Sequence, residues 1–497
     1  MVRPVRMSII ALSAILVLFT LQIGVSAKKK SSKRKNRTAR SMPVIFMGPV
    51  QRSVPVIVTP PVLSPAAADN FFMNMSAPTQ RASAASSTPT AASGSGIGTP
   101  GGDNESKRKP WQLVPNAPAA GSLIISEFRV RGPSGANDEF IEIYNDSGAD
   151  HTVAAISGTG YAIAASDGTT RCSIPNGTVI PARGHYLCTN SVAYSLGGYA
   201  TGDATYTTDI PDNAGIALFN NNTGGGSFSL ANRFDAVGST SEANTTYKEG
   251  TGYPALTPFS IDYAFYRDEC GKGGSITTMG VCTISTPKDT DNNATDFIFV
   301  DTNGTSAGAG QRLGAPGPQN LSSPIQRNST ITENLLDATV AKANPPNRVR
   351  DFTSVPAQNS TFGTLSIRRR FVNNTGANVT RLRFRIIDMT TFPAPSGIAD
   401  LRHRTSGVVV VAGINDTVTC AATGAPLTPP CTATVQGTTV EEPPSQPNGG
   451  AFNSSWSAGT VTLGTPLANG ASIDLQFLLG IQQTGSFKIY VNMEALP

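Results

Sequence analysis

Between positions 123 and 145 the chain reads LIISEFRVRGPSGANDEFIEIYN, two short apolar-alternating runs joined by a turn of Gly, Pro, Ser and Asn. A period of two is what a half-buried β-strand requires. Ile141 and Ile143 therefore point to one face, and Glu142 and Tyr144 to the other. The stretch reads as the opening hairpin of a β-sandwich. Adjacent strand residues face opposite ways, so the paired acids Asp138/Glu139 and Asp268/Glu269 cannot flank one glycosidic bond. Glu127, Glu139 and Glu142 are read as strand residues of the fold.

The rest of the chain extends this pattern. Gly (49) and Pro (36) are abundant, charged residues make up only 14%, and Asn, Ser and Thr fill the gaps between short Val/Ile/Phe/Tyr runs. A helical protein carries more Glu, Lys and Leu on amphipathic faces. At 497 residues the chain is too long for one core, and two or three domains plus linkers are expected. The net charge of +5 is local: ten of the 38 basic residues, and no acid, lie in 1–40, which leaves 28 basic against 33 acidic groups. A nucleic-acid role from overall basicity is thereby excluded.

Residues 1–27 combine a basic start, an apolar core and the small residues Val25-Ser26-Ala27, the pattern of a signal peptide. The basic run KKKSSKRKNR follows at once, which favours an uncleaved anchor instead, and both readings stand. Residues 28–120 are basic, then rich in Pro, Ala, Ser and Thr; they bury too little to repay ordering and are read as a disordered linker. Any membrane contact belongs to this N-terminal part. Six cysteines form three close pairs, Cys172/Cys188, Cys270/Cys282 and Cys420/Cys431. No pair has CxxC spacing, so zinc is disfavoured, and three local disulfides suit an exported protein.

After the opening hairpin come IPNGTVIPARGHYLCTN (174–190) and LGAPGPQN (313–320). With LIISEF and DEFIEIYN these segments resemble the start, middle and end of a lamin-tail domain, an immunoglobulin-like sandwich found on nuclear lamins and on exported bacterial proteins. The resemblance covers 121–324, with extra length mainly at 194–212 and 220–258. It implies an accessory or adhesion module with no catalytic residues of its own. No lamin coiled coil is present, so a filament role does not carry over. For 325–497, strands are expected at 364–372 and 380–387, joined as a hairpin, and at 473–479 and 487–493 with a turn at 482–485. The whole reads as all-β: two immunoglobulin-like β-sandwich domains, 121–324 and 325–497, behind a signal or anchor segment and a linker.

Two constellations suggest sites. Asp289, Asp291, Asn293 and Asp296 put carboxylate and amide oxygens on one loop, as Ca²⁺ requires, although the EF-hand glycine and terminal Glu are missing. Asx turns explain the same residues without an ion. No other cofactor is indicated. Arg368 and Arg370 alternate with Ile367 and Phe371, and Arg381, Arg383 and Arg385 with Leu382, Phe384 and Ile386. On a hairpin, these five arginines share an outer face suited to an anionic polymer, or one neutralised by acids such as Glu441 and Glu442. Nucleic acid ranks lower because no aromatics are interleaved.

Signals for catalysis are weak. The chain has three histidines, His151, His185 and His403, and no HExxH, P-loop or dinucleotide fingerprint. GTSAG at 304–308 matches GxSxG, but AGQRLG follows in place of the required helix. Asn-x-Ser/Thr triplets are frequent, as chance allows in so Asn-, Ser- and Thr-rich a chain. The expected function is a non-enzymatic surface adhesion or scaffold module, exported and either secreted or anchored, with a surface polymer or protein as partner. The alternative is an accessory or degenerate subunit of a secreted polymer hydrolase, which requires a cleft holding an acid/base pair.

Overall fold

The computed structural model describes residues 123–255, 261–269, 287–302, 312–328, 330–392, 394, 396–422, 428–442, 452–459 and 462–497. The signal or anchor segment, the linker, Cys270, Cys282 and the GxSxG match lie outside them. The regular structure of the described residues is mostly strand, with two short α-helical turns, and they belong to one compact unit. No helix among them is long and apolar enough to cross a membrane.

Four main sheets carry the architecture. Sheet 1 has four strands, ordered Arg233–Val237, Ile216–Phe219, Gly160–Ala165, Thr170–Pro175. Sheet 2 has seven: Arg312–Leu313, Phe297–Asp301, Tyr263–Arg267, Leu123–Arg129, Phe140–Asn145, His185–Asn190, Ala204–Tyr206. Sheet 3 runs Ile325–Gln326, Ile489–Leu496, Arg381–Met389, Ser455–Ala458, Thr438–Val440. Sheet 4 runs Ile331–Leu335, Thr364–Asn373, Ser472–Gln483, Asp400–Arg404, with Arg348–Asp351 also paired to Thr364–Asn373.

The opening hairpin forms with Leu123 opposite Asn145 and Arg129 opposite Phe140. Its alternation works as read. Ile141 and Ile143 enter the core between sheets 1 and 2, with Phe128, Phe265 and Phe299 from neighbouring strands and Ile163, Ile174 and Leu218 from sheet 1. Phe265 sits within 5.1–5.4 Å, centroid to centroid, of Phe128 and Phe299, and such aromatic packing adds to simple burial. A bulge at Ser126 breaks the ladder between Ile125 and Glu127. It frees the Ile125 backbone, whose N–H then donates to Asp235 (2.6 Å) and whose carbonyl accepts from Arg267 (2.7 Å).

All six residues of Phe140–Asn145 are buried, as are all six of His185–Asn190. An exposed outer face would give alternation, so sheet 2 must be covered on both sides. Sheet 3 covers it. Phe140, Leu187, Tyr266, Ile298 and Val300 from the second face of sheet 2 join one apolar cluster with Phe384, Trp456, Phe477 and Val491 from the C-terminal sheets. The segment after Leu313 runs through this junction, pairing Gly314 with Phe452. Gly317 passes so close that a Cβ there would lie 2.3 Å from the Arg385 guanidinium.

The hairpin expected between 364–372 and 380–387 does not form. Both strands exist, as Thr364–Asn373 and Arg381–Met389, but the first pairs with Ser472–Gln483 in sheet 4 and the second with Ile489–Leu496 in sheet 3. The two closing strands likewise fall in different sheets. Phe371 and Phe384 still meet, at 4.7 Å, because they enter one core from opposite sheets. Asn373 holds the arch between the strands, donating to the carbonyls of Ala377 and Leu467 (both 2.8 Å) and accepting from Thr375.

Cys172–Cys188 links sheet 1 to sheet 2, and Cys420–Cys431 ties the turn Thr417–Ala422 to the strand Cys431–Val435. Both follow the local pairing expected from spacing and fit an oxidising environment.

Candidate functional site

The junction of sheets 2 and 3 gathers several of the charged residues named above, Glu127, Glu142, His185, Glu269 and Arg385 among them. From sheet 2 it takes Glu127 and Glu142, which stand directly opposite one another in the ladder, with His185 and Tyr266. From sheet 3 it takes Arg385, Asn492 and Glu494, and Glu269 and Gln319 come from connecting segments. These residues line a cavity of about 20 Å³. A space of that size holds about one water molecule.

Each carboxylate has a defined partner. Glu494 accepts from Arg383 Nε (2.5 Å) with one oxygen and from Arg385 Nε (2.9 Å) with the other. Glu127 accepts from the Gly317 N–H (2.9 Å). Glu142 accepts from Ser126 Oγ and the Gln319 N–H, and His185 Nε2 lies 3.7 Å from it. Asn492 donates to Glu269. The closing motif LGAPGPQN thus supplies two backbone donors to acids of the opening hairpin.

Burial sets the protonation here. It pushes Glu127 up to about 7 against the pull of Arg385. It raises Glu269 to about 8, and it raises Glu142 well above the carboxylate range, with the Glu127 charge adding to the effect. It drives His185 well below its ordinary value, and the Arg385 and Arg383 charges push it further the same way. Buried acids with raised values beside a neutral imidazole have acid/base capacity, but the cavity admits no polymer unit.

The five arginines do not share a face. Sheet 4 carries Arg368 and Arg370, and sheet 3 carries Arg381, Arg383 and Arg385. Arg383 and Arg385 are 1% and 2% exposed, locked on Glu494, and both reach the Tyr199 hydroxyl (3.4 and 3.5 Å). Arg381 pairs with Glu441 at 2.8 Å, the neutralising acid considered above. Arg370 is clamped by both oxygens of Asp474 (2.8 Å each) and donates to the Val418 carbonyl. Arg368 is half-buried and has no ion-pair partner among the described residues. The expected open basic face is therefore not assembled. Period two places side chains relative to a core, and here the opposite side of sheet 3 is occupied by sheet 2.

The loop 289–296 is also drawn inward, around a side-chain cation. Arg267 is fully buried and lies 2.6 Å from Asp235, 3.2 Å from Asp289 and 3.6 Å from Asp296, with its guanidinium 4.7 Å from the Phe297 ring centre. Asp296 accepts from the Thr290 and Asn292 N–H groups and two threonine hydroxyls. The Asn293 oxygen accepts from the Gly238 and Glu249 N–H groups, 2.9 Å each. Asp291 is exposed with φ 54°. The four residues do not converge as one ligand set, because the loop's own backbone occupies Asp296 and the backbone of Gly238 and Glu249 occupies Asn293.

Asp138 accepts from Arg129, and Glu139 accepts from Asn190 (2.9 Å) and the Ile210 N–H (2.7 Å); both hold the 190–212 segment in place. His403 packs edge-on against Trp456 at 5.4 Å, and burial drops it to about 3. Tyr199, which joins the junction through Arg383, Arg385 and Ser455, was not singled out from the sequence. Its signal was the extra length at 194–212. No family model matches the chain, and neither a curated protein nor a solved structure matches it.

Proposed function

We propose that the chain is an exported, non-catalytic module that acts by adhesion or scaffolding, with a surface polymer or a protein as its partner. One observation carries this reading: the acids and arginines best suited to chemistry are buried where sheet 2 meets sheet 3 and are engaged with one another or with the connecting backbone, around a space fit for about one water. The resemblance of 121–324 to lamin-tail domains supports it, since those modules have no catalytic residues. The disulfides agree with export.

The accessory-hydrolase reading keeps one specific support, the approach of Glu127, Glu142 and His185 to a single cavity. Purified protein applied to a panel of wall and surface polymers separates the two. Adhesion predicts saturable binding, no released product, and equal binding by Glu142→Gln. Turnover that Glu142→Gln abolishes would overturn the proposal in favour of a hydrolase.

A further inference from the structure

Away from the sheet 2/sheet 3 junction, at one end of the core between sheets 1 and 2, three acids from separate segments converge. Asp235 lies on the strand Arg233–Val237, Glu249 follows the turn Thr245–Tyr247, and Asp289 precedes the turn Asn293–Asp296. One carboxylate oxygen from each lies within 4.8 Å of the other two. Oxygens so spaced can each stand at about 2.3–2.6 Å from a common ion, the range Ca²⁺ takes.

The independent observation is Glu249 itself. Its side chain is 4% exposed; one oxygen accepts from Arg233 at 3.0 Å, while the other, Oε2, is buried without a hydrogen-bond partner. Leaving a buried carboxylate oxygen unpaired is costly. Nor does Arg267 meet the need. Its hydrogen bonds go to Ile125, Lys288, Asp235 and Asp289, and none goes to Glu249. The local charge is also unbalanced. With all four acids ionised, Asp235, Glu249, Asp289 and Asp296 face Arg267 and Arg233, an excess of two negative charges. A divalent cation cancels that excess.

We propose that Asp235, Glu249 and Asp289 form a binding site for a hard divalent cation, with Ca²⁺ as the ion that its all-oxygen donors favour. The loop expected from sequence to bind calcium contributes Asp289 alone, and the other two ligands come from sheet 1 and the segment after it. Bound ion would clamp the segment 287–302 to sheet 1, coupling occupancy to stability.

The test is isothermal titration of EDTA-treated, purified protein with CaCl₂. One ion per chain is expected. Glu249→Gln, which keeps the shape of the protonated acid, should weaken binding at least about tenfold, a loss of about 1.4 kcal/mol. Asp291→Asn, in the exposed part of the loop, should leave binding unchanged. Absence of binding to the wild-type protein, or wild-type affinity in Glu249→Gln, overturns the site. A readout independent of variant folding is an anomalous-scattering peak in wild-type crystals soaked with Tb³⁺. A peak between the three carboxylates supports the site, and a peak elsewhere or none overturns it.

Discussion

Sheet 2 has two buried faces of opposite chemistry. The face toward sheet 1 is aromatic and aliphatic over its centre, built on Phe128, Phe265 and Phe299, with the Arg267–Asp235 pair at one end. The face toward sheet 3 mixes apolar residues with Glu127, Glu142 and His185, and meets Arg383, Arg385 and Glu494. The first face depends on shape and area removed from water. The second depends on charge pairing and protonation as well, so two interfaces of one sheet should respond differently to the same perturbation. Polar residues on one side of a strand thus mark a second interface as readily as a solvent face.

The largest effect should come from the apolar face. Phe265→Ala opens a cavity among Phe128, Tyr253 and Phe299, and should cost about 3–5 kcal/mol in denaturant unfolding, with little dependence on pH. A pH-dependent loss would show that the two faces are not chemically separate.

The polar face should titrate. Glu269 is raised to about 8 and Glu127 to about 7 by burial, so the folded state keeps protons that the unfolded chain releases near pH 4.5. Their contribution is full below about pH 4.5 and is lost as pH rises through about 7–8. Glu139, raised to about 8 at the 190–212 segment, adds to the same slope. Glu269→Gln should therefore flatten the fall in stability between about pH 5 and 8, by on the order of a few kcal/mol at the alkaline end. An unchanged slope would remove Glu269 from the explanation.

The smallest effect is expected outside both faces. Arg368→Ser, on the outer side of sheet 4, should change stability by less than about 0.5 kcal/mol. A larger loss would mean that Arg368 is engaged as Arg383 and Arg385 are.

Strands were legible in the sequence, and their partners less so. The opening hairpin and its in/out pattern follow from period two with a Gly/Pro/Asn turn, and local cysteine spacing anticipated both described disulfides. The pairing of Thr364–Asn373 and Arg381–Met389 did not follow. Period two says that Phe371 and Phe384 share a core; it does not say whether they reach it from one sheet or from two. The loop 289–296 looked like a ligand set because its acids are adjacent in sequence. Its actual cation, Arg267, lies on the strand Tyr263–Arg267, and Asp235 and Glu249 are further away still, so only tertiary structure assembles them.

If the charged junction joins the two pairs of sheets into one unit, both sides of it should open together when one of its charges is removed. Native-state hydrogen exchange on the wild-type protein and on Arg385→Ala measures this. Removing one partner of a buried pair costs about 3–5 kcal/mol. The junction predicts that the slowest amides of Phe140–Asn145 and His185–Asn190 in sheet 2, and of Arg381–Met389 and Ile489–Leu496 in sheet 3, lose protection together and by similar amounts. Loss confined to the sheet 3 strands, with sheet 2 unchanged, would contradict it.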